Sequence, residues 1–408
     1  MKKPELLAPV QDYASLSAAI NNGADAVFFG IKGFNMRASA KNFTLKDLPK
    51  ISTIAKKNNV KTYLAINTII YQEDLKKLET ILKQVKKAKI DAIICWDYSI
   101  IQIAKKLNIE IHISTQAGVA NSESANLYKK LGAKRIVLAR ECSLKQIKEI
   151  KKKTNIEIEI FIHGAMCVSV SGRCFISQFL YGKSANCGEC QQPCRKEYLI
   201  KQIDGEKELL IGKDYVLSPK DLCTLGFIEK ILEVGVDCLK IEGRNRSPEY
   251  VAVVTKAYRT IIDFYYENKR KKNFKEDFTS LKKKLLKELE TVFHRGQSSG
   301  FYLNKPLNEW VASDGSQATK TKERVGIVVN YYKKIKVAEI LIQGKKTIKI
   351  GDELLFQGPT TGSLRNKITS LEIEHKPIEM AKGGEKVAAK ITSAVRKNDI
   401  VFLIKNSN

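Results

Sequence analysis

Eight short runs of apolar or β-branched residues, most of them separated by stretches with helical spacing, constrain this chain more than any other feature. The runs are ELLAPV (5–10), DAVFFG (25–30), KTYLAIN (61–67), DAIICWD (91–97), EIHIST (110–115), RIVLAR (135–140), IEIEIFIHG (156–164) and DCLKIEG (237–243). Segments between them, such as LKDLPKISTIAKKNN and YSIIQIAKKLN, repeat apolar residues at the period of a helix packed on one face. Gly23, Asn59, Gly132 and Gly235 fall where those helices should stop, each just before the next run. Strands joined through helices pair in parallel, so the pattern predicts an α/β fold, a TIM-like (β/α)8 barrel over residues 1–270. A doubly wound open sheet is the alternative.

Barrels of this kind carry their chemistry at the C-terminal ends of the strands. Reading the residues there gives Gln11 and Asp12 after the first strand, Asn35 and Arg37 after the second, Asn67 after the third and Asp97 after the fourth. Gln116 follows the fifth, Arg140 and Glu141 end the sixth, His163 ends the seventh, and Glu242 and Arg244 end the eighth. Each alone could be a helix cap or a loop residue. Together they predict a polar mouth for a small anionic or hydrogen-bonding ligand.

The seventh connection is abnormally long for such a fold, and it forms a cysteine-rich insertion over 164–223. Its stretch CVSVSGRCFISQFLYGKSANCGECQQPCR (167–195) holds five of the chain's nine cysteines. The opening, MKKPELLAPVQDYASL, has no long apolar run, so no signal peptide or membrane span is expected and the chain reads as cytoplasmic. In that compartment clustered thiols point to a metal or redox role more than to disulfides. Zinc would usually show two tight pairs, whereas only Cys187 and Cys190 stand as C-x-x-C and no histidine lies within the insertion. An iron–sulfur cage tolerates irregular spacing on a loop rich in small residues, and Arg173 and Arg195 would offset its charge. Zinc stays open as the alternative. Cys95, Cys142 and Cys238 read as small core residues.

Beyond the barrel, a lysine-rich helical linker (271–320) leads to short strands with Gly and Asn turns, predicting a small antiparallel β-barrel over 321–408. IKIGDELLF, GGEKVAAK and RKNDIVFLI resemble the second-domain barrel of translation factors, a module that often touches RNA. Net charge points the same way, at +27 from 71 Lys and Arg against 44 Asp and Glu. The excess is spread over many helices, so solvated surface lysines explain it equally well.

HGAMCVSVSGRCFISQFLYGKSANCGECQQPCR, SPKDLC and LKIEGRNRSPEYVAVVTKAYR, with ELLAPVQDYASLSAAINNGADAVFFG and HISTQAGVANSESANLYKKLGAKRIVLAREC, resemble peptidase family U-32, the collagenase-like proteases. The resemblance runs from about residue 3 to 265. It implies a [4Fe–4S] protein of the kind that hydroxylates RNA or quinones, with ligands at Cys167, Cys174, Cys190 and Cys194. Cys187 and Cys223 are the alternates. The charge and the β-rich tail favour the branch that makes 5-hydroxyuridine in tRNA using prephenate, with a protein of the same family as a further partner. A dicarboxylate such as prephenate calls for arginine forks, supplied by Arg37, Arg140 and Arg244. Asn35, Asn67 and Gln116 complete the substrate site, and His163 and Glu242 are the residues expected to handle protons. The family name leaves a peptidase as the competing reading. The chain lacks H-E-x-x-H, however, VSVSGRC is not the G-x-S-x-G of a serine hydrolase's strand-to-helix turn, and only Cys167 with His163 stands as a local thiol–imidazole pair. A non-catalytic RNA-binding protein with a structural cluster is the third reading.

Overall fold

The computed structural model describes residues 2–202, 209–212 and 215–407. Residues 203–208 and 213–214 of the predicted insertion lie outside them. Eight parallel strands, β1 (Glu5–Pro9), β2 (Ala26–Gly30), β3 (Lys61–Ala65), β4 (Ala92–Cys95), β5 (Glu110–Ile113), β6 (Arg135–Val137), β7 (Glu157–Gly164) and β8 (Cys238–Ile241), pair in chain order. Pairing of β8 with both β1 and β7 closes the ring. The (β/α)8 barrel is therefore present, and the open-sheet alternative is not.

Helices α1 (Tyr13–Asn21), α2 (Leu48–Lys57), α3 (Leu75–Lys87), α4 (Tyr98–Lys106), α5 (Ser122–Lys130) and α6 (Leu144–Lys153) connect successive strands. In α3 the buried residues are Leu78, Ile81, Leu82 and Val85, one stripe of the helical period, and Lys86 and Lys87 sit at its C-terminal end where the helix dipole favours cations. The predicted stops hold, since Gly23, Asn59, Gly132 and Gly235 all adopt positive φ. Asp12 and Asp97 cap α1 and α4 through the backbone N–H groups of Ser15 and Ser99, so these two mouth residues serve the helices.

The insertion contributes a short helix, α7 (Ile176–Tyr181), before the barrel resumes with α8 (Ile228–Val234) and closes with α9 (Pro248–Asn268). The helix expected beyond residue 270 is α10 (Phe274–Leu289), which lays Phe278, Leu285 and Leu289 into the barrel's own outer core. From there the chain returns to the mouth. Gln297–Ser298 pairs with Asp221–Cys223, which pairs in turn with the end of β7. The stretch from about 293 to 311 is thereby a wall of the barrel mouth.

Between Lys320 and Asn406 an eight-stranded antiparallel sheet encloses a separate core that includes Val325, Val328, Ile340, Phe356, Val387 and Val401. The turn spacing suggests about six strands. Leu371–Ile373 and Lys376–Ile378 are three residues each, too short to show an alternation. This domain docks on α1 and α9, where Arg365 pairs with Glu249 at 2.7 Å and the Ser17 hydroxyl donates to the Pro359 carbonyl at 2.6 Å. Among the described residues no helix is long and apolar enough to cross a membrane.

Candidate active site

Alternation along the strands aims short polar side chains inward at the C-terminal end of the barrel, and the loops after β2, β6 and β8 bring three arginines there. Arg37 and Arg140 each place a guanidinium nitrogen 3.3 Å from the same carboxylate oxygen of Glu242. Arg140 also donates to the Ala165 carbonyl at 2.8 Å and lies over the Phe161 ring. Arg244 donates to Asn35 Oδ1 at 3.0 Å, and Asn35 Oδ1 also accepts from the backbone N–H of Arg37 at 3.0 Å. Next to the β2 loop, Asn67 donates to Gln116 Oε1 at 3.1 Å and accepts from the backbone N–H of Met36 at 3.2 Å. Arg37, Asn67, Gln116, Arg140, Glu242 and Arg244 all line one small cavity of about 30 Å³ at the barrel axis. Asn35 stands behind it, holding Arg244. Six of the residues expected at the mouth are brought together there, and Asn35 braces them.

Glu242 is buried, 8% exposed. Burial pushes its carboxyl up, but Arg37, Arg140, Arg244 and Lys240 outweigh that and hold it down at about 2. It is a permanent anion at neutral pH. Its part is therefore to gather arginines, a different role from the proton transfer expected of it. Arg244 runs the other way, lowered to about 9 by burial and by the neighbouring charge of Arg37. The buried Nε atoms of Arg140 and Arg244 have no hydrogen-bond partner among the described residues.

His163 is not part of this site. The β7–β8 register slips between Lys240 and Ile241, where one residue of β7 is extra, and such a bulge reverses the side-chain alternation beyond it. The ring consequently packs against Tyr250 and Tyr258 of α9, its Nδ1 3.3 Å from the Tyr258 hydroxyl. Burial, with a smaller contribution from His294, lowers the imidazole to about 3. Titration of labelled histidines by NMR is expected to show the His163 ring neutral down to about pH 3. A midpoint near the ordinary 6.5 would contradict this placement.

The insertion folds over the mouth. Ser171, at φ 45°, donates through its backbone N–H and its hydroxyl to Glu141 at 2.8 and 2.9 Å, clamping the loop to the end of β6. Gly188, at φ 89°, lies so close to the loop after β2 that a Cβ there would come within 2.1 Å of the Asn35 carbonyl oxygen. All nine cysteines are free. Burial raises the Cys190 thiol, opposed by Arg37 and reinforced by the nearby Cys167 and Cys174. Burial likewise raises Cys194, which feels Arg195 and the thiols of Cys167, Cys190 and Cys174. Those four thiols thus form one electrostatic group. Cys187 instead faces the Tyr71 hydroxyl at 3.7 Å, and Cys223 is buried, its thiol pushed up to about 11 by that burial. Among the described residues no three His, Cys, Asp or Glu side chains gather as the ligands of a single metal ion would.

Two larger cavities adjoin the axial one. The first, about 130 Å³, is lined by Cys167, Cys190 and Cys194 and by Arg37, Arg195, Arg246 and Arg295 against Glu242. Arg295 is lowered to about 10, by burial and then by Arg195. The second, about 320 Å³, runs from Arg140 and Cys167 past Lys220 to Phe301 and Trp310. Arg246, Arg295 and Trp310 escape a strand-end reading of the sequence. Arg295 and Trp310 come from the returning segment, and only the position of Arg246, two residues beyond Arg244, signals its place.

A closed parallel barrel with cation-rich cavities at its mouth and a four-thiol loop folded over them defines a TIM-barrel enzyme. Residues 11–312 match the sequence model of peptidase family U32, and the chain belongs to that family. It is 42% identical to an uncharacterized protease of Methanocaldococcus jannaschii over 99% of this chain and 98% of that one. It is 39% identical to a collagenase of Porphyromonas gingivalis over 98% and 97% of the two chains. To tRNA hydroxylation protein P1 of Bacillus subtilis it is 37% identical over 91% and 87%.

Proposed function

We propose that the protein is an RNA-hydroxylating enzyme, or the barrel subunit of one, that makes 5-hydroxyuridine at the wobble position of tRNA. It would use a [4Fe–4S] cluster and a dicarboxylate co-substrate such as prephenate. The observation that carries this reading is the four-thiol group beside Arg37, Arg195, Arg246 and Arg295. A thiolate-ligated cage is an anion, and a cavity with three of the thiols and four guanidiniums suits it in both donors and charge. Cys167, Cys174, Cys190 and Cys194 would hold the group, which when bound supplies electron transfer at the mouth. Support for the substrate comes from the near full-length likeness to a tRNA hydroxylation protein and from the charge of +27.

The chain's own residues divide the remaining work. Arg140 and Arg244, each with an unpaired buried Nε, bind carboxylate oxygens, and Arg37 orients Arg140 through their shared Glu242 oxygen. Asn67 and Gln116 offer amide groups at the axis to a ring bearing donors and acceptors. Phe301 and Trp310 keep water from the apolar side of the larger cavity.

The collagenase relative favours a second reading, a cysteine peptidase. That chemistry needs an imidazole at the nucleophile. His163, the local partner for Cys167, faces α9 and lines neither cavity that Cys167 lines. The hydroxylation reading is therefore the better supported. Protein purified without oxygen is expected to absorb in the visible and to contain iron and sulfide in about equal amounts. A colourless, iron-free, zinc-bearing protein would remove the reading.

A further inference from the structure

Seven aromatic side chains are exposed among the described residues, and six of them are on the mouth side of the barrel. Tyr71 follows β3, Tyr98 opens α4, and Phe175, Phe179 and Tyr181 belong to the insertion. Trp310 is bridged to Pro219 beside the larger cavity. Chance scatter of surface aromatics does not favour one end of a barrel so strongly.

The rings fall into local groups with cations beside them. Phe179 is 84% exposed and stands 6.3 Å from the Phe175 ring, two residues beyond Arg173. The Arg173 guanidinium reaches over Trp96 at 5.9 Å, and Tyr98 stacks on Tyr128 with the planes 11° apart. Tyr71, after β3, meets Cys187 of the insertion. The insertion from 167 to 197 carries Arg173, Lys183, Arg195 and Lys196 against Glu189 and Glu197. Lys183 is 3.9 Å from Glu189, leaving Arg173, Arg195 and Lys196, and also Glu197, without an ion pair among the described residues.

We propose that this arc of mouth-side rings, with Phe175 and Phe179 at its centre, is a stacking platform for unpaired nucleotides of an RNA loop. The inference deepens the RNA reading above and rests on it. Rings interleaved with cations suit single-stranded nucleic acid, because unpaired bases offer flat faces to stack and the linking phosphates offer charge. Duplex RNA hides those faces, so the platform discriminates loop from stem.

Binding of the anaerobically purified full chain to a fluorescent anticodon stem-loop, and to a fully paired RNA of equal length, tests this. Phe175→Ala with Phe179→Ala is expected to weaken the stem-loop about ten-fold or more. Duplex binding and the salt dependence should be unchanged, since no charge is removed. Because both rings are exposed, the variant should unfold at the wild-type temperature. Unaltered stem-loop affinity, or equal losses for loop and duplex, would overturn the proposal while leaving the RNA reading intact. A wild-type chain that binds neither RNA would defeat both. A variant with normal RNA affinity but a changed sedimentation coefficient would make the arc a protein contact and end the proposal.

Discussion

Cys167→Ala, Cys174→Ala, Cys190→Ala and Cys194→Ala are each expected to lose nearly all bound iron and visible absorbance, while Cys187→Ala and Cys223→Ala keep both. Spacing alone leaves six thiols competing for four positions. The fold separates them by environment. Cys190 and Cys194 each feel Cys167 and Cys174, whereas Cys187 is turned to Tyr71 and Cys223 is buried against the Tyr258 hydroxyl. Cluster ligands must be thiolates, and although burial raises Cys190 and Cys194, the guanidiniums of Arg37 and Arg195 oppose it. Loss of an outer-shell partner typically costs ~10–100-fold in metal affinity, and loss of a ligand should cost more. Iron analysis of the six variants decides it. Retention in any of the first four, or loss in Cys187→Ala, would redraw the ligand set.

Glu242→Gln is expected to destabilise the barrel by about 3–5 kcal/mol at pH 7, the usual cost of removing one partner from a buried ion pair. The carboxylate is the shared counter-charge for Arg37 and Arg140 and lies near Arg244, so its neutral replacement leaves those three guanidiniums without an anion, while Lys240 keeps Glu159 at 2.7 Å. The pH dependence follows from its depressed value. Burial opposes ionisation, but the four cations win and the folded carboxyl sits at about 2, below its ordinary 4.5. Its contribution is then complete above about pH 4.5 and is lost as pH falls towards about 2. Urea unfolding of wild type and variant should accordingly differ most at neutral pH and converge in acid. Equal stability at pH 7 would show that the arginines are solvated and the cluster of charges is not closed.

Much of the fold and of the site is legible in the sequence, for physical reasons that differ residue by residue. The barrel is legible because eight β-branched runs and their helical spacers each obey a local period, and closure merely joins the first run to the last. Arg37, Asn67, Gln116, Arg140 and Arg244 are legible because a strand's C-terminal end fixes their place within a residue or two. His163 is misread because a single extra residue in β7 reverses the alternation, and no sequence pattern marks that bulge. Glu242 is placed correctly but its chemistry is not, since its protonation depends on three loops meeting in space. Arg295, Phe301 and Trp310 lie in a segment that reads as a linker, and only the pairing of Gln297–Ser298 with Asp221–Cys223 brings them to the mouth.

The proposed hydroxylation of tRNA by this chain would run through the thiol group at the barrel mouth. Nucleoside mass spectrometry of tRNA from cells lacking the gene, re-expressing either wild type or Cys167→Ala, measures it most directly. The account predicts that 5-hydroxylation of the wobble uridine falls in the deletion strain, returns with wild type and stays absent with Cys167→Ala. Unchanged hydroxylation without the gene, or full restoration by Cys167→Ala, would contradict it.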